Sequence, residues 1–493
     1  MEQIIIWATI AVYLLLMVVL SLNEKRKCKT LGDFTVGGGN AGAWLSALSY
    51  GTAYFSAVMF IGYSGTTGWK YGGLAVLVGI GNALFGSLLA WLVLAKRTRK
   101  IARNFEIKTM PQFFLARYKS ENMKLFSAIV IFIFLIPYSA SVYKGLTSVC
   151  SVLLNVDETI TMIIIAVVSI VILILGGYLA AIKADFIQGI IMIFGIVFLL
   201  IFVMRSNTIT NGGGIEGLIN LTKNLNLKTN DYIALTSTIL MTSFGTWGLP
   251  QMIHKYYGIK DEKDIKRGTI ISTVFALLVA GGGYFIGSFG RMFYTSLDSI
   301  KGTDFIVPNI LKSSNLPALL LGIVLVLLIS ASVSTLSSIT MTASTTAIMD
   351  IRKEKKIDDK KATKHIKFLC IVFVVLSYLI ANTNTPILDM MSYSWGILSG
   401  SFLAPYMLAL YFKFINKKGA FAGMISGFII AFIPALSMLL KGILPNLQFV
   451  TILASYGPQF AVLAMIISFI LCITVSLLTK KENYDEFYVL KEE

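Results

Sequence analysis

The chain has 493 residues, of which 56% are hydrophobic and only 14% charged, and its mean hydropathy is +0.78. Soluble domains contain about 25% charged residues, so this composition excludes a soluble globular protein and indicates one that crosses a membrane several times. The formal net charge of +17 is also typical of nucleic-acid-binding proteins. Here the basic residues lie between apolar stretches, so no nucleic-acid partner is expected.

Thirteen apolar stretches predict membrane-spanning helices. The first, 4–22, is long for the apolar core of a signal peptide, and its basic residues follow it instead of preceding it. It is therefore interpreted as a retained helix. The other twelve are predicted at 43–66, 72–95, 125–150, 159–179, 186–204, 233–254, 269–290, 317–348, 368–383, 388–411, 420–440 and 453–478.

The distribution of basic residues predicts the orientation of these spans. The loops that would be cytoplasmic if the N-terminus is outside hold 33 of the 42 lysines and arginines. Positive charge accumulates on the cytoplasmic side of membrane proteins, so the N-terminus is predicted outside and the C-terminus inside, in the plasma membrane. These loops are 23–40, 96–124, 180–185, 255–267, 350–367, 413–419 and the tail 480–493. Lipid head groups are the expected partner of the basic stretch 352–367, and no obligatory protein partner is implied.

The residue inventory gives little support for an enzyme. The chain has two histidines, and its four cysteines are scattered without metal-binding or disulfide spacing. We expect no organic cofactor. The predicted loops are too short for an ATPase or kinase domain, so uphill transport would have to use an ion gradient.

Two of the predicted spans look interrupted. The second, 43–66, and the seventh, 233–254, carry Gly, Ser and Thr at their centres, and the seventh also contains Pro250. Interrupted spans expose carbonyls and helix ends at membrane depth, where ions and solutes bind. The alternatives are close packing of small residues or a proline kink.

The spacing of the two interruptions predicts a repeat. They lie five spans apart, so they cross the membrane in opposite directions. This indicates two inverted five-helix repeats, at 43–204 and 233–411, preceded by the helix 4–22 and followed by two helices within 420–478. Together they form a single transporter domain, 1–479, with a cytoplasmic tail at 480–493.

Residues 330–346 carry eleven hydroxyl side chains in seventeen positions. In hydrocarbon each hydroxyl needs a partner, and back-bonding to the same helix satisfies only some of them. The run therefore predicts a small cation or a water-filled cavity beside this helix.

Several motifs in the chain resemble those of the sodium:solute symporter family. They are ALSYGTAYFSAVMFIGYSG in the second span, GGYLAAIKADFIQGIIMIFG across the fifth and sixth, WGLPQ in the seventh, ASVSTLSS in the ninth and SYSWGILSGSFLAPYML in the eleventh. The resemblance implies an all-α membrane protein with a LeuT-like fold of about thirteen helices, and Na⁺ as the coupling ion.

The resemblance also implies a main sodium site. Its ligands would be the backbone carbonyls of Thr52, Phe55 and Ala331 and the hydroxyls of Ser334 and Thr335. Neutral oxygen ligands suit a hard cation that must later be released.

A second sodium site is implied at Asp185, together with Ser334, Ser337 and Ser338. In this family an aspartate at that position either assists sodium release or joins a second sodium site. The alternative is that Asp185 only caps the start of a helix.

The resemblance places the solute between the two interrupted spans. The candidate contacts are Tyr54, Ser56, Met59, Ser243, Thr246, Trp247 and Trp395. Sugar-binding members carry polar and acidic residues where this chain has Val58 and Met59, so a hexose is disfavoured. Lys144 either reaches the outer interface or pairs with a solute carboxylate.

The predicted function is sodium-coupled import of a small organic acid or amino acid by alternating access. The alternatives are a proton-coupled carrier of the same fold, a channel or a solute sensor.

Overall fold

The computed structural model describes residues 2–25, 35, 39–314, 316–351, 358–383, 385–443 and 447–488. The side chains at 24, 25, 172, 173, 175–179, 299, 442 and 443 are not described. Cys28 and most of the basic residues predicted at 23–40, as well as residues 352–357 and 489–493, lie outside the described residues. Within the described ranges the fold is helical, apart from an isolated bridge between Ala41 and Ile259.

The first part of the chain forms eight α-helices joined by 3₁₀ and π segments. They are α1 (Glu2–Lys25), α2 (Ala43–Tyr54), α3 (Ser64–Tyr71), α4 (Val76–Gly81), α5 (Lys96–Asn104), α6 (Met110–Tyr118), α7 (Glu121–Leu154) and α8 (Glu158–Met204).

The second part forms fifteen more. They are α9 (Asn207–Asn211), α10 (Gly214–Lys223), α11 (Thr229–Phe244), α12 (Pro250–Tyr257), α13 (Glu262–Ala276), α14 (Gly282–Ser288), α15 (Gly290–Phe293), α16 (Ile306–Ser313), α17 (Ala318–Thr346), α18 (Asp359–Ala381), α19 (Ile387–Tyr411), α20 (Lys417–Ile443), α21 (Gln448–Ser455), α22 (Gly457–Leu478) and α23 (Asp485–Tyr488).

Nine helical runs within the described residues are long and apolar enough to cross a membrane. The protein is thus a multi-pass membrane protein. The number of thirteen spans, their orientation and the inverted repeats stay predictions.

Helix α8 differs from the sequence prediction. Residues 180–185 are helical. The prediction of a non-helical loop between the spans 159–179 and 186–204 is therefore wrong. Ala180 and Ala181 favour helix, and no proline interrupts the run. At 1.5 Å per residue this helix follows a path of about 70 Å, more than twice the bilayer core of about 30 Å. Asp185 therefore lies inside a helix, and its interpretation as a helix cap is also wrong.

Both predicted interruptions are confirmed. Helix α2 ends at Tyr54, Phe55 is extended (φ −103°, ψ 102°), and the chain becomes helical again before Val58. In the second case α11 ends at Phe244 and a 3₁₀ turn, Gly245–Gly248, follows. Leu249 is then extended (φ −81°, ψ 119°), and Pro250 begins α12, a position where a missing N–H costs nothing. We call α2 with α3 the first broken helix and α11 with α12 the second broken helix.

The hydroxyl-rich helix α17 lies at the centre of the described fold. It is buried continuously from Ser330 to Thr346, and it packs against α1, α2, α7 and α8. Helix α2 packs in turn against α8, α12 and α13. Protein therefore encloses the polar part of α17. Its contact with α2 places these hydroxyls near the break in the first broken helix.

The described part of the predicted tail packs on the helical body. Tyr484 and Phe487 are buried, and the guanidinium of Arg117 in α6 lies 3.8 Å from the Tyr484 ring centroid. The Arg117 Nη2 also donates to the Tyr488 hydroxyl at 3.2 Å.

Candidate sodium and solute sites

The end of α2 and the middle of α17 meet through Thr335. Its buried hydroxyl lies 3.1 Å from the Thr52 carbonyl oxygen and 3.0 Å from the Ala331 carbonyl oxygen in its own helix. The last carbonyls of a helix have no following turn to accept from, and they carry the negative end of the helix dipole. This end of α2 therefore offers oxygen ligands and a favourable potential to a cation.

Ser334 extends this group of oxygens toward a carboxylate. Its hydroxyl lies 2.9 Å from the Thr52 hydroxyl and 2.6 Å from Asp185 Oδ1. Four of the five residues predicted for the main sodium site thus lie together: Thr52, Ala331, Ser334 and Thr335. The fifth, Phe55, is the extended residue that follows α2.

Asp185 has two partners that the sequence did not indicate. Lys255 Nζ lies 3.0 Å from Asp185 Oδ2 and donates to the Ser49 hydroxyl at 2.8 Å. Ser49 in turn donates to the same Asp185 oxygen at 2.5 Å. Lys255 and Asp185 are only 2% and 1% exposed, so this is a buried ion pair.

The prediction of a cytoplasmic loop at 255–267 is wrong for Lys255. Lys255 belongs to α12, every residue of which is buried. Two features of the sequence indicate that Lys255 is buried. A carboxylate inside a membrane protein needs a partner, and Tyr256 and Tyr257 continue the span beyond Lys255.

The structure does not join Ser337 and Ser338 to Asp185 by hydrogen bonds. Both hydroxyls are buried, and neither has a hydrogen-bond partner among the described residues. The same holds for Thr340 and Thr345 further along α17. Buried hydroxyls without partners fit a water or ion path along this helix.

Aromatic side chains surround the break in the first broken helix. The Tyr54 ring lies 6.0 Å from that of Trp395 in α19, and the Trp395 ring lies 5.6 Å from that of Tyr138 in α7. The Tyr138 hydroxyl and Trp395 Nε1 are buried and have no hydrogen-bond partner of ordinary geometry within the described residues. We call Tyr54, Tyr138 and Trp395 the aromatic cluster.

The other residues predicted to contact solute have partners within the protein. Ser56 Oγ accepts from the Val58 N–H at 3.2 Å, and Met59 is buried where α14 approaches it at Gly283. Ser243 donates to Asn82 at 3.2 Å.

The next two predicted contacts, both in the 3₁₀ turn, also bond to protein. Thr246 donates to the Ser243 carbonyl at 2.8 Å, and Trp247 Nε1 donates to the Phe85 carbonyl at 3.0 Å. A solute role for all of these residues stays a prediction.

Lys144 anchors a loop. Its ammonium lies 2.9 Å from the Thr383 carbonyl oxygen and 2.8 Å from that of Thr385, in the connection between α18 and α19. Nearby, burial raises the pKa of the Asp304 carboxyl, and a bond from the Ile387 N–H and the charge of Lys144 oppose that rise. Pairing of Lys144 with a solute carboxylate stays a prediction.

A broken helix whose end meets a buried set of neutral oxygens, together with a second broken helix, is typical of ion-coupled secondary transporters. The chain also shares the LeuT-type fold of a Na⁺-coupled sialic acid symporter, solved in a substrate-bound outward-open state. The two structures superpose with a TM-score of 0.76 at 19% identity, over 97% of this chain and 99% of the other.

Sequence comparison then gives the family. The model of the sodium:solute symporter family matches residues 34–427, and the chain belongs to that family. It is 28% identical to the sodium/proline symporter of Staphylococcus aureus, over 87% of this chain and 86% of the relative. It is 26% identical to the osmoregulated proline transporter OpuE of Bacillus subtilis, over 98% and 97%.

Proposed function

We propose that this protein couples sodium entry to the uptake of a small zwitterionic amino acid, with proline as the first candidate, by alternating access. The observation that carries the proposal is the Thr335 hydroxyl, which contacts carbonyl oxygens of two different helices. A cation bound there holds α2 and α17 together, so occupancy of the ion site is linked to their relative position.

The ligand set supports sodium as the coupling ion. Carbonyl and hydroxyl oxygens are the ligands that hard cations take, and neutral ligands let the ion leave once the site opens. In the proposed cycle sodium binds from outside at Thr52, Phe55, Ala331, Ser334 and Thr335. The hydrogen bonds among these groups are exchanged for ion contacts. The ion then leaves to the inside along the lower part of α17.

The aromatic cluster supports an amino acid as the solute. The Tyr138 hydroxyl and the Trp395 indole N–H lie together in this buried cluster, and such donors suit the carboxylate of an amino acid. The negative end of the α2 dipole suits its ammonium group. The apolar ring faces suit a compact aliphatic body such as a pyrrolidine ring. The two proline transporters among the relatives support the same choice.

The test is uptake into proteoliposomes under an imposed inward sodium gradient, with labelled proline, alanine, pantothenate, pyruvate, sialic acid and galactose. We expect transient accumulation of proline or another small amino acid, abolished by collapsing the sodium gradient. Accumulation of only the sugar or the acids would contradict the solute assignment and leave sodium coupling intact.

A proton-coupled carrier is the alternative. It would use Asp185 as the proton carrier, and each protonation would leave the buried Lys255 ammonium without its counter-charge. Breaking a buried pair in this way is costly, so the sodium-coupled mechanism is favoured.

A further inference from the structure

The carboxylate of Asp185 already has a cation. Its Oδ2 accepts from the Lys255 ammonium at 3.0 Å and from Ser49, and its Oδ1 accepts from Ser334 at 2.6 Å. Each oxygen therefore has a donor, and the charges of the two buried side chains cancel.

The geometry places this ammonium where a second ion would have to bind. A sodium ion held by Asp185 together with Ser334 would lie beside the Lys255 Nζ and repel it, because charges attract or repel strongly in a buried site. It would also have to replace the bonds that Ser49 and Lys255 make to the carboxylate. The adjacent main site is different, since its carbonyl ligands at Thr52 and Ala331 are neutral and are contacted by the Thr335 hydroxyl.

We propose that the Lys255 ammonium is a built-in cation that takes the place of a second sodium ion beside Asp185, so that each transport cycle carries one sodium ion. This inference rests on the proposed sodium coupling. It makes Lys255 the residue that determines ion stoichiometry, and it makes Asp185 the counter-ion of Lys255 instead of a sodium ligand. A lysine that forms part of the protein contributes charge without being transported.

The test is equilibrium binding of radioactive sodium alone to the purified, full-length protein in lipid nanodiscs, measured as ions bound per protein at saturation. We expect one ion for the wild type. We expect two for Lys255→Gln, because this change leaves a buried carboxylate without a cation next to Ser334. Lys255→Arg keeps the charge and should bind one.

Two further variants serve as controls. Lys255→Gln combined with Asp185→Asn removes both charges and should return the count to one. Lys266→Gln removes an exposed lysine of α13 and should also bind one. The wild-type count tests the proposal without any variant, so poor folding of Lys255→Gln does not remove the test.

The outcomes separate the two proposals. Two ions in the wild type, or one ion in a folded Lys255→Gln variant, overturns the role of Lys255 while sodium binding itself stands. An absence of saturable sodium binding in the wild type would instead overturn the proposed function.

Discussion

Thr335 joins two helices through one hydroxyl group. It is fully buried, and its oxygen lies within hydrogen-bond distance of carbonyls at Thr52 and Ala331. A hydroxyl in that position can exchange these contacts for an ion contact without moving far. Ser334 beside it contacts both the Thr52 hydroxyl and Asp185, so the two neighbours connect the main site to the ion pair.

Thr335→Ala should raise the sodium concentration needed for half-maximal uptake by about tenfold. A change of this size corresponds to the free energy that one hydrogen-bonding ligand contributes to binding. Solute affinity at saturating sodium should change much less. Thr335→Ser keeps the hydroxyl and is the matched control, expected within about threefold of wild type. The measurement is uptake against sodium concentration in proteoliposomes. Equal losses in both variants, or a loss of folded protein, would count against a ligand role.

Residue by residue, the sequence could predict the main site but not its surroundings. The hydroxyl run and the break in the second span are local features, and they predicted a cation or water beside them; the family resemblance then supplied Thr52, Ser334 and Thr335. The partner of Asp185 is not local, since Lys255 is seventy positions away along the chain. Whether such a lysine faces water or a carboxylate depends on how α8 and α12 pack.

At the scale of the helices, the two interruptions position the residues of the site. The first exposes the Thr52 carbonyl, and the second precedes α12, which carries Lys255. The 3₁₀ turn Gly245–Gly248 packs against α19, and its two glycines have different surroundings. A methyl group on Gly248 would lie 2.8 Å from the Ser399 Cα and 2.9 Å from the Leu403 N. On Gly245 the nearest atom would be a Trp395 ring carbon at 3.6 Å, which is an ordinary contact.

Gly248→Ala should therefore destabilise the folded protein by about 1–3 kcal/mol, as overpacking does in buried sites. Gly245→Ala, the control in the same turn, should stay close to wild type. The readout is the midpoint of thermal unfolding of the purified protein. Equal midpoints for the two variants would show that α19 does not approach the turn as closely as described.

The elements themselves were only partly predictable. Both breaks followed from clusters of Gly, Ser and Thr that weaken a helix, and from Pro250. The continuous helix through residues 180–185 did not follow, because the span boundaries were read from hydropathy and charge. A short polar interval such as Lys183 to Asp185 can remain helical when packing supplies its partners.

At the scale of the whole molecule, the orientation stays a prediction based on charge. With 33 of 42 lysines and arginines in the predicted cytoplasmic loops, an epitope at the C-terminus should be accessible to a protease only after the membrane is opened. An epitope before Glu2 should be accessible in intact cells. The reverse pattern would invert the predicted direction of the transport cycle.

The central claim is that a sodium gradient drives solute uptake through the site at Thr52 and Thr335. It is tested most directly by proline uptake into proteoliposomes in which sodium and proton gradients are imposed separately, for the wild type and for Thr335→Ala. We predict accumulation with the sodium gradient alone, and a shift to higher sodium in Thr335→Ala. Accumulation driven by a proton gradient in the absence of sodium would contradict this account.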